Sequence, residues 1–95
     1  MPDTHDVSHD SAASQFEIRT DAGTALLRYA KHGSTIDLQH TEVPAPLEGE
    51  GYGAALAKAA LEYARAEHLT VIPSCPFVST YIKRHPENAD LVEVA

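Results

Sequence analysis

A glycine-rich turn that runs directly into a long alanine-rich segment constrains this chain more than any other feature. The turn carries Gly49, Gly51 and Gly53, and the segment after it continues to Arg65. Apolar residues then recur at intervals of three and four, which places them on one face of a helix: Leu56, Ala59, Ala60, Tyr63 and Ala64. Alanine also has the highest helix propensity of any residue. The pattern predicts a helix from about Gly51 to about Glu67 or His68.

The start of this helix has the properties of an anion-binding site. Its first amides have no carbonyl partners within the helix, and the helix dipole places partial positive charge there. Glycines before the helix allow the backbone to approach a ligand closely. Phosphate is the usual ligand of such sites. Spacing alone leaves open the alternative that the turn is an ordinary glycine-rich connection into a core helix.

The composition fits one small domain and disfavours several classes of partner. Ninety-five residues suffice for a single core. Seven basic and fourteen acidic residues give a formal net charge of −7, which argues against nonspecific binding to nucleic acid or to anionic membranes. Cys75, the single cysteine, cannot form an internal disulfide, and no apolar run resembles a membrane span or a signal peptide. We therefore expect a soluble cytoplasmic protein that is a monomer or a weak dimer.

The first fourteen residues are rich in Asp, Ser and His and poor in apolar residues. We therefore expect 1–14 to be a disordered tail that precedes a domain at 15–95. His5 and His9 are four residues apart, a spacing that could hold a metal on a helix. Two histidines without a third ligand are a weak signal, so we predict a solvated tail and no metal site.

Three strands are expected after the tail. Apolar and polar residues alternate in 15–20, in 24–31 and in 35–42, and a short turn with a glycine separates each pair of segments. Strands joined by tight turns form an antiparallel meander. Alternation in the third strand puts three residues on one face: Ile36, Leu38 and His40.

The rest of the chain is expected to add a parallel strand and a second helix. Pro44 and Pro46 end the meander, because proline cannot donate a sheet hydrogen bond. The apolar segment 69–73 follows the long helix, and a strand–helix–strand order implies a right-handed crossover with parallel pairing. A second helix is expected at 76–85 and a last extended piece at Leu91-Val92. The predicted fold class is α+β, with a mostly antiparallel sheet, one parallel pairing and two helices.

Four segments of the chain carry a resemblance to a known family: HTEVP at 40–44, LEGEGYG at 47–53, VIPSCPFV at 71–78 and YIKRHPE at 81–87. Together they resemble the short YjdJ-type branch of the GNAT superfamily of N-acetyltransferases. The resemblance extends from about Phe16 to Val92. It implies a minimal GNAT-like fold that binds acetyl-CoA as co-substrate and transfers the acetyl group to an amine.

The resemblance also implies where acetyl-CoA binds. GNAT proteins hold the cofactor pyrophosphate on a turn patterned Gln/Arg-x-x-Gly-x-Gly/Ala, which corresponds here to Glu48, Gly51 and Gly53. The implied cofactor-binding residues end the third strand and form the turn: Val43, Glu48, Gly49, Glu50, Gly51, Tyr52, Gly53 and Ala54. Glu48 departs from the family pattern, and the carboxylates of Glu48 and Glu50 are expected to weaken binding unless they point to solvent.

Two residues are candidates for the chemical step. In many GNAT enzymes a tyrosine on the helix after the parallel strand is the acid for the leaving thiolate, and Tyr81 is at the matching place. Cys75 precedes the same helix, where a thiol pKa is lowered and a covalent acetyl-enzyme route becomes possible. For Tyr81 the alternative is a tyrosine that packs the helix on the sheet, and for Cys75 it is a small buried apolar residue.

His40 and Glu42 end the third strand beside the expected cleft, and either could accept the amine proton directly or through water. For His40 the alternative is a hydrogen-bonded sheet residue. The favoured function is a small acetyl-CoA-dependent N-acetyltransferase with an unidentified amine acceptor. The alternative is a non-catalytic acyl-CoA-binding module that acts as a sensor or complex subunit. A P-loop nucleotide site is disfavoured because the Gly-Lys-Ser/Thr motif is absent.

Overall fold

The structure, a computed structural model, describes residues 6–92. In this range the chain forms one sheet from the strands β1 (Ser8–Asp10), β2 (Gln15–Thr20), β3 (Gly23–His32), β4 (Thr35–Glu42) and β5 (Thr70–Ile72). The α-helices of the same range are α1 (Tyr52–Ala66) and α2 (Pro76–Arg84), and short 3-10 helices cover Ala45–Leu47 and Pro86–Leu91. Neither α1 nor α2 is long and apolar enough to cross a membrane.

The strands are ordered in the sheet as they are in the sequence. Neighbouring strands from β1 to β4 are antiparallel, whereas β5 runs parallel to β4 with Ile36 opposite Val71. The parallel pairing arises because α1 carries the chain back along the sheet before β5 begins. The meander, the parallel pairing and the α-helices expected from the sequence are therefore confirmed, and so is the α+β fold class.

The core lies between one face of the sheet and the helices. The sheet contributes mainly Phe16, Ile18, Ala25, Leu27, Ile36 and Leu38, and α1 contributes Leu56, Ala57, Ala60, Leu61 and Ala64. The small alanine side chains allow the helix to lie close to the strands. The expected buried face of α1 is confirmed for Leu56, Ala60 and Ala64, whereas Ala59 and Tyr63 are half-buried at its edge.

The end of the described chain is held against α1 and β5. The Arg65 guanidinium donates hydrogen bonds to both carboxylate oxygens of Asp90 at 3.0 and 3.1 Å, which ties the second 3-10 helix to α1. Leu91 belongs to that 3-10 helix, and Val92 forms a single parallel bridge with Val71. The expected extended piece at Leu91-Val92 is therefore confirmed only for Val92.

The predicted disordered tail is wrong for part of its length. Ser8–Asp10 is strand β1, which pairs antiparallel with β2. The His9 ring anchors the strand: it stacks on Phe16 with 4.2 Å between ring centroids, and its Nε2 lies 2.6 Å from the Tyr29 hydroxyl. The tail composition conceals this contact because it depends on partners far along the chain. Residues 1–5, including His5 of the suggested metal pair, lie outside the described residues.

We expect the stability of the protein to depend on the protonation of His9. Partial burial lowers the pKa of His9; the Asp10 carboxylate opposes this effect, and the charge of Lys31 adds to it. A histidine whose pKa is lower in the folded state contributes stability above its unfolded pKa of about 6.5, and this stability is lost as the pH falls below that value. The wild-type Tm should therefore fall more between pH 7.5 and pH 5.5 than the Tm of His9→Gln.

Thermal unfolding at the two pH values tests this expectation. His9→Gln keeps a hydrogen-bonding group for the Tyr29 hydroxyl but does not titrate. His32→Gln removes an exposed histidine at the end of β3 and is the matched control. An equal fall of Tm in the wild type and in His9→Gln would contradict the expectation.

Candidate functional site

A β-bulge in β4 decides which of its side chains face the helices. Arg28 of β3 pairs with His40, whereas the next residue, Tyr29, pairs with Leu38, so Gln39 is an extra residue in β4. One extra residue reverses the alternation of sides beyond the bulge. The expectation that His40 shares a face with Leu38 is therefore wrong, because an alternating pattern does not reveal a bulge.

Beyond the bulge Thr41 faces the helices, and its hydroxyl oxygen lies 3.4 Å from the sulfur of Cys75. His40 and Glu42 lie on the opposite, exposed face of the sheet, where the His40 Nε2 is 3.1 Å from a carboxylate oxygen of Glu42. The two residues are therefore brought together as a pair. Glu42 also borders the pocket described next, and His40 is one residue removed from it.

A pocket of about 630 Å³ opens at the end of β4, where β4 separates from β5 and from the segment that follows β5. β5 accompanies β4 only as far as Asp37, which is opposite Ile72. The last backbone contact is the Cys75 N–H, which donates to the Leu38 carbonyl at 2.9 Å. The chain then enters α2, and the end of β4 borders open space.

The pocket brings together most of the residues implied for cofactor binding. Seven of them line it: Val43, Glu48, Gly49, Gly51, Tyr52, Gly53 and Ala54. The other lining residues are Thr41, Glu42, Leu47 and Phe77. Glu50 was also implied as a cofactor-binding residue, but it does not belong to the described lining of the pocket. Its carboxylate is therefore less able than that of Glu48 to act on a ligand in the pocket.

The glycine turn places the start of α1 beside the pocket. Gly49 and Gly51 have φ values of +82° and +85°, in the left-handed region that glycine adopts without steric cost. Gly51 is the N-cap of α1, and the Ala55 N–H donates the first helical hydrogen bond to its carbonyl at 3.0 Å. The amides of Gly53 and Ala54 precede that bond, and the first turn of α1 contains no acidic residue. This arrangement suits an anion.

Gly53 has a different role from the other two glycines. A Cβ at this position would lie 2.8 Å from Cζ of Phe77, so the absence of a side chain leaves room for the Phe77 ring. That ring is 45% exposed and forms one wall of the pocket. Sequence reasoning attributed Gly53 to the phosphates or the turn and did not single out Phe77.

Cys75 lies behind the pocket wall. The residue is 5% exposed and does not belong to the described lining, and its sulfur lies 3.4 Å from the hydroxyl of Thr41, which does. Burial raises the pKa of the Cys75 thiol, but the Thr41 hydroxyl and the backbone N–H groups of Val78 and Phe77 outweigh burial and lower the pKa overall. The thiol is thus electronically suited to be a nucleophile, yet it is shielded from a large ligand.

Tyr81 lies on α2 and outside the described lining of the pocket. Its ring stacks on His85 with 4.2 Å between centroids. Burial raises the pKa of Tyr81, and the carboxylates of Glu87 and Glu62 raise it further, so the hydroxyl keeps its proton at neutral pH. A protonated phenol can donate to a leaving group, provided that the leaving group reaches it.

Sequence reasoning missed three residues that line the pocket: Thr41, Leu47 and Phe77. Thr41 is inside the HTEVP segment, but the bulge that turns it inward leaves no local signal. Phe77 follows the first proline of the second helix, and its partner Gly53 is 24 residues away. Only the packing of α2 against α1 brings the two together.

Comparisons with known proteins identify the family of this chain. The sequence profile of the family described as "GCN5-related N-acetyl-transferase" matches residues 15–91. The chain is 40% identical to Protein NATD1 from Homo sapiens and 39% identical to that from Xenopus tropicalis, in each case over 83 residues that cover 84% of this chain and 74% or 76% of the relative.

A solved structure shows the same fold. The NMR solution structure of a GCN5-like protein from Staphylococcus aureus matches with a TM-score of 0.74 and 27% identity, and the match covers 95% of this chain and 89% of that one. The family profile thus matches this chain over nearly its whole described length. The matched part contains the glycine turn and the parallel pairing of β4 with β5. The protein belongs to the GCN5-related N-acetyltransferase family.

Proposed function

We propose that the protein is a small acetyl-CoA-dependent N-acetyltransferase that transfers the acetyl group to an amine, and that it belongs to the short YjdJ-type branch of its family. The observation that carries the proposal is the pocket at the start of α1, which is lined by seven residues implied for cofactor binding. Family membership supports acetyl-CoA as the ligand. We also propose a cytoplasmic location and a monomeric or weakly dimeric state.

The chain supplies separate groups for binding and for proton transfer. The amides of Gly53 and Ala54 would hold the pyrophosphate, and no basic side chain is among the described lining of the pocket. Acetyl-CoA supplies a thioester that an amine can attack. Glu42, oriented by His40 at 3.1 Å, would take the proton that the amine loses, directly or through water. Tyr81 would then protonate the thiolate that leaves.

A second function, a non-catalytic acyl-CoA-binding module, is favoured by one specific observation. Neither Cys75 nor Tyr81 is in the described lining of the pocket, so the candidate nucleophile and acid both stand apart from the place where the ligand would bind. A module of this kind would hold acyl-CoA and release no thiol.

Ligand binding followed by turnover tests the proposal. Acetyl-CoA at 100 times its Kd should stabilise the domain by about 2.7 kcal/mol, which raises Tm by roughly 10–20 °C in a chain of this size, and ATP should have much less effect. Release of CoA thiol in the presence of an amine panel would support the transferase. Tight binding without thiol release would support the binding module, and no shift with acetyl-CoA would reject both.

The two carboxylates of the turn should differ in their effect on the cofactor. Glu48 lines the pocket and Glu50 does not, although they are two residues apart on the same turn. Glu48→Gln removes a negative charge close to the anionic ligand and is expected to tighten acetyl-CoA binding about threefold at low salt and less at high salt. Glu50→Gln makes the same change in net charge and is the matched control.

Isothermal titration at two salt concentrations measures the difference. A larger gain for Glu50→Gln than for Glu48→Gln would show that the ligand lies on the other side of the turn.

A further inference from the structure

We propose that the Thr41 hydroxyl donates a hydrogen bond to the carbonyl oxygen of the bound thioester and stabilises the negative charge that develops there during transfer. This inference rests on the proposed function and adds a catalytic residue to it. Glu42 and Tyr81 have the roles of base and acid in the proposed reaction, and neither is assigned to the carbonyl oxygen. Thr41 is half-buried near the end of β4 and lines the pocket.

The bulge places Thr41 and Glu42 on opposite sides of β4, although both line the pocket. Because Gln39 is an extra residue, the Thr41 side chain faces the helices, whereas Glu42 lies on the exposed face of the sheet. A thioester beside this end of β4 would therefore have a hydroxyl on one side and a carboxylate on the other. The carbonyl oxygen can then face Thr41 while the amine approaches from the side of Glu42.

Cys75 holds the Thr41 hydroxyl in place without using its hydrogen. The sulfur lies 3.4 Å from the Thr41 oxygen. Cys75 is 5% exposed, and its N–H donates to the Leu38 carbonyl at 2.9 Å, so the residue is anchored to β4. A hydroxyl has one hydrogen and two acceptor lone pairs, and a thiol is a weak donor and a weak acceptor. Thr41 can therefore accept from the thiol and keep its own hydrogen for a stronger acceptor in the pocket.

The composition of the described pocket lining also favours Thr41 as the donor. The side chains of this lining that carry a hydroxyl are Thr41 and Tyr52. Tyr52 begins α1, beside the turn that is proposed to hold the pyrophosphate. The ionised carboxylates of Glu42 and Glu48 accept hydrogen bonds and donate none. Thr41 is thus the side-chain donor at the β4 end of the described lining.

The transfer step is balanced with the groups already assigned. The amine nitrogen bonds to the carbonyl carbon, and an electron pair of the C=O bond moves to the oxygen, to which the Thr41 hydroxyl donates. The amine proton passes to Glu42. The C=O bond then re-forms, the carbon–sulfur bond breaks, and the thiolate leaves with the bonding pair and takes a proton from Tyr81. Thr41 loses no proton, and because its hydrogen bond is stronger to the oxyanion than to the carbonyl, it raises kcat.

Kinetics of threonine variants test the inference. Thr41→Val replaces the hydroxyl with a methyl group and should lower kcat about 100-fold while the Kd for acetyl-CoA stays within about twofold. Thr41→Ser keeps a hydroxyl on a less restricted side chain and should restore kcat to within about tenfold of the wild type. Thr35→Val is the matched control, because Thr35 is another half-buried threonine of β4 outside the described lining, and it should leave kcat unchanged.

Infrared spectroscopy gives a measurement that does not depend on turnover. A hydrogen bond weakens the C=O bond, so the carbonyl band of acetyl-CoA with an isotope-labelled carbonyl group should lie at lower frequency on the wild type and Thr41→Ser than on Thr41→Val. Thr41→Ala also lacks the hydroxyl and should give the same kcat and the same band as Thr41→Val. This second variant keeps the test informative if Thr41→Val does not fold.

The remaining outcomes overturn the inference. Wild-type kcat in Thr41→Val and Thr41→Ala would leave backbone N–H groups as the donors to the oxyanion, with the proposed function intact. An equal loss in Thr41→Val and Thr41→Ser, or in Thr41→Val and Thr35→Val, would attribute the effect to packing of the strand. A loss of kcat with an unchanged carbonyl band would mean that the hydroxyl acts on Cys75 and not on the substrate. If the wild type releases no thiol, the proposed function itself fails, and this inference with it.

Discussion

Gly51→Val is expected to raise the Kd for acetyl-CoA at least about 100-fold. Gly51 is the N-cap of α1, has a φ of +85° and lines the pocket. A β-branched residue does not hold this conformation without strain, so the turn must shift and displace the amides of Gly53 and Ala54. A hydrogen bond to a charged group contributes about 1.5–3 kcal/mol, and the loss of two such bonds accounts for a factor of about 100 or more.

Gly33→Val separates loss of the site from loss of stability. Gly33 lies in the turn between β3 and β4, has a φ of +61°, and would place a Cβ in open space. Both variants carry a backbone strain of about 1–3 kcal/mol, so both should unfold at a lower temperature. Calorimetry below both transitions should show binding by Gly33→Val only. Wild-type affinity in Gly51→Val would place the ligand elsewhere, and equal loss in both variants would attribute the effect to stability.

Tyr81→Phe is expected to lower kcat about 100-fold without weakening acetyl-CoA binding, as is usual for a lost general acid. Burial and the carboxylates of Glu87 and Glu62 raise the pKa of Tyr81, which keeps the proton available near neutral pH. Tyr63→Phe is the matched control, because Tyr63 lies on α1 outside the described pocket lining and its hydroxyl accepts a 3.3 Å hydrogen bond from Lys31. Unchanged kcat in Tyr81→Phe would contradict the proposed role and favour the binding module.

Cys75→Ala then distinguishes direct transfer from a covalent route. A covalent route needs the acetyl group to reach the sulfur of Cys75, a residue that is only 5% exposed and lies against Thr41, so we expect direct transfer and a loss of turnover of only a few-fold in Cys75→Ala. Intact-mass measurement after incubation with acetyl-CoA should show no adduct on the wild type. An adduct that disappears in Cys75→Ala together with turnover would establish the covalent route.

Local patterns were enough to predict the layout of the sheet and the place of the pocket. Alternation over 15–20 and 35–42 depends on neighbouring residues alone, and the strands follow these bounds. The proline break and the long alanine-rich segment require a crossover, which makes β5 parallel to β4. The role of glycines directly before a helix can also be predicted from the local sequence, because the left-handed turn and the amides at the helix start belong to adjacent residues.

Contacts between distant segments decided the rest. The bulge at Gln39 depends on how β3 and β4 match, and it turned Thr41 inward where alternation alone placed His40. β1 is held in the sheet because the His9 ring contacts Phe16 and Tyr29. The composition of residues 1–14 does not reveal these contacts.

Within the site, the packing of α2 against α1 is a further contact between distant segments that the sequence alone does not reveal. It set the Phe77 ring against Gly53 and left Tyr81 outside the described lining of the pocket. The sequence by itself determined strands β2 to β5, the crossover and the anion-binding turn, since each depends on residues that are near one another in the chain. The tertiary structure alone decided which side chains meet at the pocket, because that depends on register and on packing between elements.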